Sequence, residues 1–513
     1  MKSLAMSAVS LLFLMVGVAQ AQTDQSLPHW AAVVHQLALA VHDRGPGGQS
    51  TGVFPPTIGE FLPSRDLSGT VETYNPAAPT DTASQPFFQS LGTNGRACVT
   101  CHEPRSAWSV SVASLRERFA NTQGTDPIFR PVDGATCPDA DVSTVAARRT
   151  AYRLLLSRGL IRIFLPLPTN RIADPQAEPD FQIVDLQDPY GCSDLKANPP
   201  AVSMYRRPLP AANLRFLTEC QPGQTSCAPL AIMWDGRELS LENQATDATL
   251  GHAQALNPPS SEQLAQIVDF ESQIYDAQVR DNGAGDLDAD GANGGPTFLS
   301  QQSFYIGIND SLGGDPLAPG IFTPNVFTLY EPWAHPASES GHTAEREAIA
   351  RGEALFNTHQ FTISGVNGLN RFPFDPLGAN PITGTCATCH DAPNVGNHSE
   401  KLALDIGVSD SAPPGLDVSG LPVFAIACTD TSGPLQGQVF HVTDPARALI
   451  SGNCADVGKV KGPILRGLAA RAPYFHNGSA ATLEDVVNFY DQRFSIGLTD
   501  QQKADLVAFL NTL

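Results

Sequence analysis

Positive charge is scarce in this sequence. Lysine and arginine together number 31, against 52 aspartate and glutamate residues, which gives a formal net charge of −21. Nucleic-acid binding needs clustered cations that neutralise phosphates, so this balance argues against a nucleic-acid partner. A protein that docks on this surface is expected to present a basic or neutral face, although charge of this size also serves solubility.

Long apolar runs are also missing. A membrane-spanning helix needs about 20 consecutive apolar residues, and the run Leu11–Val18 is shorter. It follows Lys2 and precedes small residues at Ala19 and Ala21, which is the pattern of a secretory signal cleaved after Ala21. The sequence therefore predicts an exported, periplasmic protein with no membrane span, whose signal peptide comprises residues 1–21.

Charged residues are few as well, at 16%, whereas glycine and proline number 43 and 42. Apolar residues stay frequent, so this composition is typical of a loop-rich globular protein rather than a disordered one. Strand-like runs are rare and include 160–165 and 424–427. Apolar residues three and four apart, which indicate helices, are more common. They occur in Leu27–Asp43, Glu262–Arg280, Ala344–Asn357, Thr482–Tyr490 and Thr499–Leu510. The patterns predict a mainly α fold.

The segment 281–296 is rich in glycine, aspartate and asparagine, and this composition predicts an exposed loop or linker. Asp286, Asp288 and Asp290 resemble the opening of a calcium-binding loop. However, Thr297 stands where an EF-hand requires a bidentate glutamate. A solvated loop is therefore the favoured interpretation.

Ten cysteines are present, and in an exported protein they can form lasting disulfides. Four of them belong to two C-x-x-C-H motifs. The other six are an even number without metal-ligand spacing, so we expect three disulfides. The pairs closest in sequence are Cys220–Cys227 and Cys428–Cys454, which leaves Cys137–Cys192, although the sequence alone does not fix this connectivity.

Each C-x-x-C-H motif predicts a covalently attached haem. The two thiols add to the haem vinyl groups, and the adjacent histidine reaches the iron from the proximal side. A disulfide or zinc knuckle that precedes a histidine is the alternative, but two matches in one exported chain favour haem. The residues are Cys98, Cys101 and His102 for haem 1, and Cys386, Cys389 and His390 for haem 2.

The two motifs also suggest two domains that are distant copies of each other. The local sequences 94–102 and 383–390 are similar, and a new helix begins near Thr343, before the second motif. We place the boundary around Gly341. Residues 22–340 then form an N-terminal haem domain with insertions, and residues 341–513 form a C-terminal haem domain.

Two further blocks resemble the bacterial di-haem cytochrome c peroxidase and MauG family. Residues 461–479, continuing to 483–490, resemble the C-terminal signature of this family, and Trp234–Arg237 followed by Leu241–Gln244 resembles a second block. The resemblance implies two cytochrome c-like domains joined to long loop-rich insertions. It also implies that haem 1 reacts with peroxide and that haem 2 transfers electrons.

The resemblance assigns roles to two aromatic residues. Tyr490 lies fourteen residues after His476, at the position of the distal ligand of haem 2. The peroxidases have methionine there and the MauG-like branch has tyrosine, whose phenolate stabilises ferric iron. Trp234 matches the tryptophan that lies between the two haems. Without the resemblance, both aromatics would be interpreted as core residues.

Around haem 1 the resemblance implies that Gln244 is a hydrogen-bonding residue in the distal pocket. Ten residues later the family has a glutamate that acts as acid and base, whereas this sequence has Gln254, which cannot transfer a proton. His252 is one replacement, since histidine serves as a general acid and base near neutral pH. Glu238 and Glu242 are the other candidates.

Three functions follow as hypotheses. The first is a peroxidase that reduces hydrogen peroxide with electrons from a small donor, a c-type cytochrome or copper protein, with a high-valent di-haem state as one route. The second is a MauG-like enzyme that oxidises residues of a partner protein. The third is a non-enzymatic electron-transfer cytochrome, which Gln244 disfavours. The resemblance also implies an interdomain calcium held by backbone carbonyls near Pro473, a ligand type that any sequence can supply.

Overall fold

The computed structural model describes residues 55–513, except 225–226, 228–230, 314, 318–321, 336–340, 371–379 and 431–434. The predicted signal peptide and the predicted helix Leu27–Asp43 lie outside the described residues. Within the described part, no helix combines the length and the hydropathy that crossing a membrane requires.

The prediction of a mainly α fold is wrong. Helices account for 28% of the residues and strands for 17%. The segment predicted as one helix, Glu262–Arg280, shows the reason, because its helix ends at Gln273 and Tyr275–Asp281 forms a strand. Tyr275, Ala277 and Val279 are apolar at every second position, which also places apolar residues four apart. The segment therefore fits both the strand pattern and the helix pattern, and its packing in the sheet decides between the two.

The described residues contain eleven α-helices. They are α1 (Val112–Thr122), α2 (Val145–Ala151), α3 (Arg153–Arg158), α4 (Arg215–Thr218), α5 (Leu241–Gly251), α6 (Ser261–Gln273), α7 (Pro296–Ser300), α8 (Thr343–Thr358), α9 (Ala448–Ser451), α10 (Leu483–Phe494) and α11 (Asp500–Leu510). Helix α10 begins with a capping box of Thr482 and Asp485, and α11 with one of Thr499 and Gln502. Both boxes are readable from sequence, because the side chains satisfy backbone N–H groups of their own first turn.

Fifteen short strands form six antiparallel sheets within the described residues. The strands are β1 (Thr57–Ile58), β2 (Phe61–Arg65), β3 (Gly69–Tyr74), β4 (Thr80–Asp81), β5 (Ile161–Pro166), β6 (Phe181–Gln187), β7 (Ala201–Arg206), β8 (Tyr275–Asp281), β9 (Gly285–Asp286), β10 (Phe361–Ile363), β11 (Ile382–Gly384), β12 (Ala403–Leu404), β13 (Val423–Cys428), β14 (Val439–Val442) and β15 (Val460–Lys461). The sheet orders are β1-β4, β2-β3-β8-β9, β5-β7, β14-β13-β6, β10-β11 and β12-β15. The predicted strands at 160–165 and 424–427 correspond to β5 and β13.

One apolar core surrounds the second C-x-x-C-H motif and is built on α8 and α11. These helices approach so closely that a Cβ at Gly352 would lie 2.0 Å from the carbonyl oxygen of Asp505. The same core includes Leu287 and Trp333. The prediction of an exposed linker at 281–296 is therefore wrong at its centre, where Leu287 is fully buried.

The sheet β14-β13-β6 joins strands from before and after residue 341. Strand β6 precedes the expected domain boundary at residue 341 and pairs antiparallel with β13, which follows it. Three disulfides join cysteines of the described residues, and all three predicted pairs are confirmed. They are Cys137–Cys192, Cys220–Cys227 and Cys428–Cys454.

Candidate functional site

The first C-x-x-C-H motif opens onto a cavity of about 160 Å³, here called the first cavity, which Cys98, Cys101 and His102 line. Residues Cys98–Thr100 form a single 3₁₀ turn, in which the Thr100 hydroxyl accepts a hydrogen bond of 2.9 Å from the Ala97 amide. The turn brings both thiols and the imidazole to one wall. The Nδ1 of His102 lies 3.0 Å from the Trp108 carbonyl oxygen, and as donor it leaves Nε2 for a ligand in the cavity.

The second motif repeats this construction around a cavity of about 210 Å³, here called the second cavity. Cys386–Thr388 form the same single turn, and the Thr385 amide donates to the Thr388 hydroxyl at 2.9 Å. The Nδ1 of His390 lies 2.6 Å from the Gly396 carbonyl oxygen. Each cavity therefore has one histidine held in the tautomer that metal ligation requires.

Helix α5 supplies the polar groups of the first cavity. Leu241, Gln244, Ala248 and His252 line the cavity from positions i, i+3, i+7 and i+11, which is one face of a helix. The structure thus brings both Gln244 and His252 into the cavity of His102.

His252 is held by an ion pair that sequence reasoning missed. Its Nδ1 lies 2.5 Å from an oxygen of Asp133, whose other oxygen lies 2.5 Å from the Arg96 guanidinium. Burial raises the pKa of Asp133, but the charge of Arg96 and the hydrogen bond from His252 outweigh burial and lower it to about 2. Asp133 is therefore anionic throughout the neutral range. It lies in a stretch without any motif, 119 residues from His252 in sequence.

The other acid and base candidates do not line the first cavity. The Gln254 side chain accepts a hydrogen bond of 3.3 Å from Asn94. Glu238 is buried against Asp247, and burial together with this second carboxyl raises the pKa of Glu238. Glu242 is exposed at the start of α5.

Glu271 is a cavity residue that the sequence analysis did not select. It lies on α6, lines the first cavity and is buried, and its Oε1 has no hydrogen-bond partner among the described residues. Burial, with a smaller contribution from Glu242, raises the pKa of Glu271 to about 8. A signal was present in the sequence, because Glu271 shares the apolar face of α6 with Ile267 and Phe270.

Tyr490 of α10 and His390 both line the second cavity, with ring centroids 6.5 Å apart and planes at 75°. Burial and the nearby thiols raise the pKa of Tyr490, so its phenol loses the proton only beside a strong positive charge. His476 lines the same cavity, and burial lowers its pKa to about 4, which keeps the imidazole neutral.

Trp234 forms part of the wall between the two cavities and lines both. It is 8% exposed, and its indole N–H donates to the Arg207 carbonyl oxygen at 2.8 Å. Its carbonyl oxygen accepts the Lys461 amide at 2.8 Å. The indole also packs against the His476 ring, with centroids 6.0 Å apart.

Comparison with known proteins gives several partial matches. Residues 460–496 match the family model described as RoxA-like, cytochrome c-like. Cytochrome-c peroxidase IdrP2 of Denitromonas iodatirespirans is 35% identical over 137 residues, which are 25% of this chain and 36% of the relative. Cytochrome c551 peroxidase of Nitrosomonas europaea is 30% identical over 150 residues, which are 29% of this chain and 35% of the relative. Over these segments the chain is similar to cytochrome-c peroxidases.

These matches span about a third of the length of the two relatives. Among solved structures, the chain is similar to a MauG-like protein associated with microbial copper homeostasis. That likeness has 15% identity and a TM-score of 0.33, and it covers 84% of this chain and 87% of the other. At this level it bears on neither fold nor function.

The residues in both cavities fit covalently bound c-type haem. The four motif cysteines are outside the disulfides. Burial raises the pKa of Cys101 to about 11 and the pKa values of Cys98, Cys386 and Cys389 to about 12, so all four are thiols at neutral pH. Apolar walls, a thiol pair and a histidine with an available Nε2 are what attachment of a haem requires.

Proposed function

We propose that this chain is an exported, periplasmic di-haem c-type peroxidase. It reduces hydrogen peroxide in the first cavity with electrons that a small redox protein delivers through the second. One observation carries the proposal, namely the asymmetry of the cavities. Gln244 and His252 line the first cavity with His102, whereas Tyr490 lines the second with His390.

Bound haem supplies an iron that binds peroxide and exchanges electrons. Reduction of hydrogen peroxide to two water molecules consumes two electrons and two protons, so the first cavity also needs a group that transfers protons. We assign this role to His252. Asp133 occupies its Nδ1 at 2.5 Å, which leaves Nε2 to accept and return a proton in the cavity. The Gln244 amide is suited to hydrogen-bond a bound oxygen.

We assign Tyr490, with His390, as a residue that would hold the haem of the second cavity. Support comes from the 6.5 Å separation of the two ring centroids in this cavity and from the neighbouring thiol pair. With both residues as ligands the iron would have no open position for peroxide, so this haem would be suited to passing electrons. Trp234, which lines both cavities, is the proposed route between them.

The electron donor is a small redox protein, a c-type cytochrome or copper protein, with a basic or neutral contact face that complements the net charge of −21. The division into haem domains at residue 341 stays a prediction. So does the calcium ion near Pro473. Pro473 lines the second cavity, and so do the cations Arg471 and Lys461.

A MauG-like enzyme that oxidises residues of a partner protein is the second candidate. The tyrosine at position 490 favours it, since the MauG-like branch has this residue as a ligand. The two candidates differ in what peroxide consumption requires. The first needs a reduced small donor, and the second needs a protein substrate that is itself oxidised.

The test uses purified holoprotein. We expect two covalent haems per chain, one high-spin and one low-spin in the ferric electron paramagnetic resonance spectrum, and catalytic loss of peroxide when a reduced c-type cytochrome is supplied. Replacing Cys386 and Cys389 with alanine should leave one haem. A protein whose two haems are both six-coordinate and inert to peroxide would falsify the proposal in favour of an electron-transfer cytochrome.

A further inference from the structure

The wall between the two cavities carries a lysine without a partner. Lys461 of β15 lines both cavities, together with Arg207, Pro208 and Trp234. It is 8% exposed, and its Nζ forms no hydrogen bond or ion pair with the described residues. Burial alone changes its pKa, which falls to about 8, so the amine is still mostly charged at pH 7.

Arg207, the other cation that lines both cavities, forms its hydrogen bonds with carbonyl oxygens rather than with carboxylates. The Arg207 guanidinium donates to the carbonyl oxygens of Arg158, Val110 and Arg471 at 2.6 to 2.9 Å. Burial and the charge of Arg471 lower the pKa of Arg207 to about 9. The wall is thus a positive region inside a chain whose net charge is −21.

The buried carboxylates Asp444 and Asp235 are paired with other residues. Asp444 accepts two hydrogen bonds from Arg206, at 2.7 and 2.9 Å, and Asp235 pairs with Arg206 and Arg237. A buried charge is tolerated when it is paired, and an unpaired one is destabilising because its desolvation is not compensated. The partner of Lys461 therefore belongs to whatever fills the cavities.

We propose that the Lys461 ammonium pairs with haem carboxylates from both cavities and so holds the two haems through one shared cation. Each haem carries two carboxylates, and they are the anions that these apolar cavities receive. The inference rests on haem attachment at both motifs and is independent of the reaction with peroxide. It makes Lys461 a positioning residue beside Trp234, in the wall that lines both cavities.

If the Lys461 ammonium lies near both haems, it should affect the reduction potentials of both. Oxidation adds positive charge to each haem, so a nearby ammonium disfavours the ferric state and raises both reduction potentials. Replacing Lys461 by methionine removes this charge while keeping an unbranched side chain of similar length. Both reduction equilibria should then shift toward ferric haem by about tenfold, which is about 59 mV for a one-electron couple.

The experiment is a spectroelectrochemical titration of the holoprotein in which the two haems are followed separately. Lys461→Arg keeps the charge and should stay within a twofold shift of the parent at both haems. Lys459→Met is the matched control, because Lys459 lies two residues away and is paired with Asp456 at 3.0 Å. That variant removes the same charge outside the cavities and should leave both potentials unchanged.

Several outcomes would overturn the inference. A shift at one haem alone would show that Lys461 is not shared, and equal potentials in Lys461→Met and parent would show that it pairs with neither. If Lys461→Met does not retain haem, Lys461→Gln carries the same test, with the propionate bending bands in resonance Raman spectra as the second readout. Haem content of the parent is measured first, because a parent with fewer than two haems refutes the proposed function itself.

Discussion

At the scale of single residues, the first cavity depends on a contact between distant parts of the chain. His252 is one of three candidates, with Glu238 and Glu242, for the acid and base that replaces the family's glutamate. Of these three, only His252 lines the cavity, and its Nδ1 lies 2.5 Å from Asp133. An anionic partner fixes the orientation of an imidazole.

Replacing Asp133 with asparagine tests this arrangement. The amide keeps the shape but loses the charge that orients the imidazole through its Nδ1. Peroxide turnover should therefore fall by roughly a hundredfold, the lower range for loss of a general acid or base. Steady-state peroxide reduction from pH 5 to 9 is the measurement. Asp141→Asn removes an exposed carboxylate and serves as control; equal turnover in all three proteins would remove Asp133 from the mechanism.

Tyr490→Phe tests the proposed ligand of the second haem. The variant loses the phenol oxygen and keeps the ring, so the low-spin ferric signal assigned to this haem should disappear or change to that of a water ligand. Electron paramagnetic resonance at low temperature is the measurement. Tyr474→Phe is matched, since Tyr474 lines the same cavity but donates its hydroxyl to the Leu468 carbonyl oxygen at 3.0 Å. An unchanged signal in Tyr490→Phe would assign the tyrosine to the core.

At the scale of elements, helices α5 and α6 both face the first cavity and contribute different polar groups to it. Helix α5 brings amide and imidazole groups, whereas α6 brings the Glu271 carboxyl into an apolar environment. Since burial raises the pKa of Glu271 to about 8, the folded protein holds a proton there that the unfolded chain releases near the ordinary value of 4.5.

This difference predicts a pH-dependent stability. Between about pH 4.5 and 8 the folded state binds more protons than the unfolded state at this group, so its contribution to the free energy of unfolding falls as pH rises. Glu271→Gln should remove that part of the slope, and its stability relative to the parent should increase from pH 5 to pH 8. Urea unfolding at both pH values measures it. Glu262→Gln, exposed in the first turn of α6, should show no such trend; a parallel trend would contradict the assignment.

The strands were harder to predict than the helices. Helices α8, α10 and α11 lie within a few residues of their predicted bounds, because capping and apolar periodicity are local. The sheets join segments far apart in sequence, such as β3 with β8 and β6 with β13. No single segment contains enough information to predict such pairings.

At the scale of the whole molecule, the two cavities share a wall that contains Trp234 and Lys461. Trp234→Phe tests electron transfer through that wall. The indole N–H bond to Arg207 is lost, and oxidation of the second haem after peroxide addition should slow by at least tenfold, while the reaction at the first haem continues. Stopped-flow spectra give both rates.

Loss of packing is the main confounder for Trp234→Phe, because a smaller ring in a buried site leaves a void that costs a few kcal/mol. The urea midpoint is therefore measured beside the kinetics. Trp333→Phe is a control of the same chemistry in a different core, where the indole N–H donates to the Ala289 carbonyl oxygen. A folded Trp234→Phe protein that oxidises the second haem at the parental rate would exclude this route.

Features whose geometry is local could be predicted from the sequence. The C-x-x-C-H spacing places two thiols and a histidine on one turn, and capping residues set the starts of α10 and α11. The six other cysteines predicted three disulfides, but the folded chain settles which cysteines pair. The polar residues that face the cavities could not be predicted in this way. Asp133, Glu271 and Lys461 acquire their properties from burial, and Asp133 also from His252, which is 119 residues away. Burial is a property of the packed chain rather than of a segment.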